Sequence, residues 1–157
     1  VKSLQATDIV PLAVLYKIAQ KIRKVAAEIG VSKNVPDMSA TKIGIPAPKI
    51  TQNQIQISLT LNQLHSAYEW GSGIHRTRGT PAKYPIVPVN AKRLVFEGTN
   101  AYEGKTIFTD LVMHPGVKAR PFLEPAKRQT RQENLQTIRE NATKNIRLIV
   151  VGMSRKI

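Results

Sequence analysis

The sequence predicts an α+β fold: an antiparallel sheet of about four strands with a long N-terminal helix and a C-terminal helix packed on it. Three stretches carry this prediction. Within residues 8–29, Leu15, Ile18, Ile22, Val25 and Ile29 recur three and four positions apart, while Lys17, Lys21, Lys24 and Glu28 fall on the opposite side, which is the pattern of an amphipathic helix. Within residues 55–61, Ile55, Ile57, Leu59 and Leu61 alternate with Gln56, Ser58 and Thr60, so one face of a strand is buried. Near the C-terminus, Leu135, Ile138, Ala142, Ile146, Ile149 and Met153 return to helical spacing.

The remaining elements follow in chain order. Thr7 or Asp8 can cap the first helix, Pro11 is tolerable in its first turn, and Gly30 suits a left-handed stop. Pro36, Pro46 and Pro48 with Gly44 predict an extended, exposed loop over 31–54. Residues 62–70 read as a short helix that turns Leu64, Ala67 and Tyr68 inward and ends at Gly71 and Gly73. A cationic loop occupies 71–83. In 84–98, Pro85 and Pro88 restrict the chain to a sheet edge or a lead-in, and 93–97 pairs with 105–113 as a hairpin with a loop longer than two residues. Residues 127–134 are wholly polar and are expected to be exposed. The segment 148–157 is rich in β-branched residues and is compatible with helix or strand. Length and composition place residues 1–157 in a single domain.

Twenty-four Lys and Arg against ten Asp and Glu give a net charge of +14. Such a field attracts polyanions: nucleic acid, an anionic membrane surface or an acidic protein. The absence of cysteine excludes disulfides, thiol nucleophiles and thiolate metal sites. No apolar run approaches the ~20 residues that span a bilayer, so no membrane-spanning segment is expected, and of the polyanions nucleic acid and acidic proteins, not a membrane, are the expected partners. The start VKSLQATDIV has neither the apolar core nor the cleavage site of a signal peptide, consistent with synthesis in a reducing cytoplasm.

Enzymatic chemistry finds little purchase. His65, His75 and His114 lie in three separate settings, none with a second ligand at metal-site spacing. The scattered carboxylates offer no acid–base pair, GSG at 71–73 lacks the strand, Lys and helix of a phosphate loop, and no Ser occupies a nucleophile elbow. No catalytic residue, metal or cofactor is expected. Nucleic-acid contact through the basic loops would be non-specific, because the three Phe, four Tyr and one Trp form no stacking pattern.

Residues 112–129, VMHPGVKARPFLEPAKRQ, form a stiff joint. Pro115 and Gly116 fit the centre of a type II turn after His114. Pro121 pushes Arg120 towards an extended conformation, and Phe122 and Leu123 can anchor the joint in the core. Pro125 marks the start or a kink of the last helix. Rigidity without reactive groups suits assembly better than catalysis.

These residues also resemble a family. YEWGSGIH (68–75), YPIVPVNAKRLVFEG (84–98) and HPGVKARPFLEPA (114–126) look like the tail-completion or neck (head–tail joining) proteins of long-tailed bacteriophages, the minor tail protein Z-like or virion morphogenesis family. The element order is similar over roughly residues 8–145. The resemblance implies a non-enzymatic virion protein, made in the host bacterial cytoplasm, that forms a closed ring of roughly six or twelve copies around a DNA channel. The implied neighbours are the phage connector or adaptor and the tail terminator or tail tube proteins. His114, Pro115, Gly116, Arg120, Pro121, Phe122 and Leu123 would carry the structural joint. The long Pro-rich loop, the high charge and the C-terminal tail depart from the family pattern. Arg76 and Arg78 are the candidates for intersubunit or DNA contact. Lys17, Lys21, Lys24, Lys127, Arg128 and Arg131 are the candidates for acidic protein neighbours. The competing expectation is a free basic protein that binds nucleic acid without sequence preference.

Overall fold

A computed structural model describes residues 6–51, 54–98 and 103–154. The elements run α1 (Ala6–Ile9), α2 (Leu12–Ser32), β1 (Ile43–Gly44), β2 (Lys49–Ile50), β3 (Ile55–Gln56), β4 (Thr60–Leu61), α3 (Gln63–Trp70), β5 (Tyr84–Ile86), β6 (Leu94–Glu97), β7 (Thr106–Thr109), β8 (Val112–His114) and α4 (Leu123–Ser154). The class is α+β with antiparallel pairing throughout, and the long N-terminal and C-terminal helices pack against each other. The chain divides into two compact units, one formed by residues 1–69 with 120–157 and the other by residues 70–119.

In the first unit Pro11 separates α1 from α2 instead of lying inside one helix. The ring disfavours helical backbone at Val10, and the missing N–H cannot continue the ladder. α2 turns Ala19, Ala26, Ala27 and Gly30 to the interior. The helix continues past Gly30 to Ser32, and the left-handed residue is Asn34, at φ 53°. Gly30 serves close packing: a Cβ there would lie 2.6 Å from Met38 Cγ.

The expected strand at 55–61 is two short strands. β3 pairs with β2 and β4 with β1, giving one hairpin whose ladder is interrupted between the two pairs. The facing segment 45–48 carries Pro46 and Pro48, which have no N–H to donate. The strands therefore form two-stranded ribbons and not one sheet of four. The segment 31–54 is also less exposed than expected, because Val35, Met38 and Ile43 join Ala26, Phe122, Leu123 and Ala126 in the buried cluster. Ile22, Val25, Ile29, Leu59, Leu61 and Tyr68 pack around it.

α4 spans 32 residues, about 48 Å at 1.5 Å per residue. Pro125 is its third residue, within the first turn, where no intrahelical N–H bond is lost. The helix runs to Ser154, so the described part of the undecided tail is helical. The polar stretch 127–134 is not wholly exposed. Thr130 and Asn134 are buried, with Thr130 Oγ1 donating to the Ala126 carbonyl (2.9 Å) and Asn134 Nδ2 to Thr130 Oγ1 (3.0 Å). Self-satisfied side chains of this size can be buried where an unpaired one could not. Further along, Asn145 Nδ2 donates to the Ile9 carbonyl (3.1 Å) and ties α4 to α1. Leu135 and Ile146, spaced for the interior, are exposed.

The second unit is a nested hairpin. β5 and β8 form its outer ladder (Tyr84 opposite His114, Ile86 opposite Val112), and β6 and β7 its inner ladder (Leu94 opposite Thr109, Glu97 opposite Thr106). Residues 87–93 on one side face only 110–111 on the other, so the ladder breaks between the two. Among the described residues of 70–119 only Gly71, Gly73 and Gly98 are buried. No large side chain among the described residues of this arm is buried, and a lone two-stranded hairpin is marginally stable in water.

Candidate functional site: a capped helix and a glycine crossing

The sequence-derived joint, residues 114–123, falls on both units and is two constructions. In the first unit the N-terminus of α4 is held by Glu69, on α3. Its Oε2 accepts the backbone N–H groups of Phe122 (2.6 Å) and Leu123 (2.9 Å), and its Oε1 that of Glu124 (3.3 Å). The first N–H groups of a helix have no intrahelical partner and carry partial positive charge, so a carboxylate there satisfies both needs. Glu69 is 1% exposed and Phe122 fully buried. Arg120 donates to the carbonyls of Asn34 (2.8 Å) and Lys33 (3.3 Å) and lies over the Tyr68 ring, while Lys33 Nζ donates to the Pro121 carbonyl (2.6 Å). Arg120, Pro121, Phe122 and Leu123 are thus fixed by side-chain, backbone and packing contacts at once.

Sequence reasoning missed Glu69. One signal was present: the residue before α4 is Phe122, which cannot cap, and no Ser, Thr, Asp or Asn stands in its place. An uncapped helix start in the core requires an acceptor from elsewhere. The inward side of α3 was also misassigned, for His65 and Glu69, four apart, are buried whereas Leu64 is exposed. Asn62 Oδ1 accepts the His65 N–H (2.8 Å) at the start of that helix, and the His65 ring pairs through Nε2 with the Pro36 carbonyl (3.2 Å).

In the second unit, His114, Pro115 and Gly116 cross residues 72–74. Ser72 N–H donates to the Val117 carbonyl (2.9 Å), Val117 N–H to Ser72 Oγ (2.9 Å), and Ile74 N–H to the Pro115 carbonyl (2.7 Å). Gly116 has the positive φ expected of it, 96°. The expected type II turn is absent, however: the chain makes no turn or bend at 115–116, and the Val117 N–H that would close one goes to Ser72 instead. Gly73 (φ 59°) and Gly116 face each other so closely that a Cβ on either would overlap the opposing backbone. His114 Nδ1 accepts the Gly116 N–H (2.9 Å), which leaves the proton of the neutral ring on Nε2, and its ring lies 5.3 Å from that of Tyr84.

The cationic candidates separate by partner. Lys21 pairs with Glu133, and Arg128 with Glu124 (3.6 Å), so these two are already engaged. Lys17, Lys24, Lys127 and Arg131 are exposed and form no ion pair among the described residues. Arg76 and Arg78 are exposed, and the Arg78 guanidinium stacks 3.4 Å from the Trp70 ring centre. The first unit also carries a groove of about 440 Å³ whose lining includes Leu15, Ile18, Ile22, Ile55, Leu59 and Lys127. No helix among the described residues is long and apolar enough to cross a membrane, and no three His, Asp or Glu side chains among them group to hold a metal ion.

No protein-family model, curated protein or solved structure matches the chain.

Proposed function

We propose that this chain is a non-enzymatic structural protein of a tailed-phage virion, assembling as a ring in the neck where head and tail join around the DNA channel. The observation that carries the reading is the arm at 84–114. It exposes Val87, Val89, Val95, Phe108, Leu111 and Met113, each at least 49% accessible, and none of its described large side chains is buried. Exposed apolar side chains gathered on one element mark a surface that a neighbouring protein covers. The capped start of α4 and the glycine crossing support the same reading, since each fixes backbone with its polar groups turned inward. The sequence resemblance supplies the identity of the assembly. Lys17, Lys24, Lys127 and Arg131 are the cations free to meet acidic neighbours, while Arg76 and Arg78 on the second unit serve intersubunit or DNA contact.

A reconstruction of the intact particle tests the proposal. The chain is expected as a closed ring between the head connector and the tail, with residues 84–114 covered by a neighbour. Isolated copies, or an arm open to solvent in the particle, would refute it. Assembly across a salt series, with charge reversals at Lys17/Lys24, Lys127/Arg131 and Arg76/Arg78 made separately, tests the division of charge. Exposed pairs contribute only ~0–1 kcal/mol each and weaken in salt, so the first two reversals should weaken attachment in a salt-dependent way. Tight DNA binding by the lone monomer with no effect on assembly would favour the nucleic-acid reading instead.

A further inference from the structure

One face of the β6–β7 ribbon is complementary to itself. Residues opposite each other in an antiparallel pair point to the same face, as do residues two apart. The face therefore carries Val95 beside Phe108 at its centre, 58% and 61% exposed. Arg93, paired with Asp110 at 3.4 Å, stands one step past the ladder at one end, and Glu97 lies beside Thr106 at the other. The arm is also the neutral part of a strongly basic molecule. Over 84–114, Lys92, Arg93 and Lys105 balance Glu97, Glu103 and Asp110, so the whole +14 resides elsewhere.

From this we infer that the free chain forms a two-fold dimer through this face, its occupant being the same face of a second copy. Stacking two ribbons with their strands reversed lays Val95 on Val95 and Phe108 on Phe108. The same operation brings Arg93 of each copy opposite Glu97 of the other, and Asp110 opposite Thr106. No like charges meet. A face-to-face contact with a two-fold axis must satisfy this condition, because every residue is presented to its own surface. Charge also selects a second copy over other occupants. A polyanion would meet three cations on the arm balanced by three carboxylates, and so no net attraction, whereas a second arm brings no net charge into the contact. A face of only three residue pairs makes a small contact, whereas stable interfaces bury ~1,200–2,000 Å², so the dimer is a weak one, formed as concentration rises. The inference concerns the unassembled protein and does not rest on the virion reading.

Analytical ultracentrifugation of the full chain and of charge variants tests it. The wild-type mass should rise from 17.4 kDa towards twice that value with concentration. Glu97→Arg alone sets Arg against Arg, and Arg93→Glu alone sets Glu against Glu, so each should remain monomeric over that range. Mixing the two variants restores Arg–Glu pairing at both ends and should restore the dimer. Because the chain has no cysteine, Val95→Cys gives a second readout: a short bismaleimide should link two copies through this one position. Circular dichroism of each variant checks that it is folded. A wild-type chain monomeric to millimolar concentration, variants that dimerise like wild type, or a mixture that stays monomeric would each overturn the inference.

Discussion

The carboxylate of Glu69 and the backbone N–H of Phe122 meet at 2.6 Å inside the core of the first unit, 53 residues apart in sequence. One side chain thereby closes the start of α4 and fixes where the Phe122 ring enters the buried cluster. Glu69→Gln keeps the shape but gives up the charge and one of the two acceptor oxygens. Hydrogen bonds to charged groups contribute roughly 1.5–3 kcal/mol, so a loss of this order is expected in urea unfolding. Glu69→Leu leaves the buried N–H groups of Phe122 and Leu123 without a partner and should cost more. An unchanged midpoint for both variants would show that the cap adds nothing.

Phe122 is the largest fully buried side chain among the described residues. Phe122→Ala should lower stability by about 3–5 kcal/mol, and Phe122→Leu by less, because the smaller truncation leaves a smaller cavity. Chemical denaturation of the two variants beside wild type checks the order as well as the size.

The glycine crossing makes a local prediction. Gly73→Ala or Gly116→Ala places a Cβ against opposing backbone at a positive φ, a conformation costing ~1–3 kcal/mol even without the overlap. Hydrogen exchange should quicken at the amides of Ser72, Ile74 and Val117, which bridge the crossing. The amides of Phe122 and Leu123, held by Glu69, belong to the other unit and should keep their protection. Equal loss at both places would contradict a separate crossing.

Asp37 supplies the pH prediction. Its hydrogen bond with Lys42 (2.8 Å), and then the charge of that ammonium, hold the carboxyl below its usual 3.8, with a smaller contribution from His65. A carboxyl whose value is lowered on folding adds stability that is fully present above the unfolded value and lost as pH falls through the folded one. The loss should therefore lie below pH 3.8. Carboxyl NMR titration should show the Asp37 value rising in Lys42→Met. A value at or above 3.8 in the wild-type chain would contradict the pairing.

Period was the legible part of this fold. The spacing of Leu15, Ile18, Ile22, Val25 and Ile29 identified α2, and the Pro–Gly–Pro run from 115 to 125 located the start of α4. Local patterns could not reveal Met38 filling the space beside Gly30, which turned an apparent stop signal into a packing contact. Nor could they show the Thr130–Asn134 hydrogen bond that lets a polar stretch face inward. The strand alternation at 55–61 was read correctly, but its ladder depended on Pro46 and Pro48 in the partner segment. At the joint, Arg120 to Leu123 were found from their stiffness. Glu69 was not, because its role is defined by a helix that begins 54 positions later.

The Arg120 N–H donates to the Tyr68 carbonyl at 2.6 Å, so the chain leaves the first unit and re-enters it at neighbouring points. Closing the first unit therefore depends little on the length of what is inserted between them, since closing a loop twice as long costs only ~0.6 kcal/mol more. Evolution can therefore exchange, lengthen or delete the 70–119 segment as a cassette while the socket formed by Tyr68, Glu69 and Arg120 stays the same. A protein engineer has the same freedom: a short glycine linker from Glu69 to Arg120 should leave a folded helical core, ready to accept another hairpin in its place.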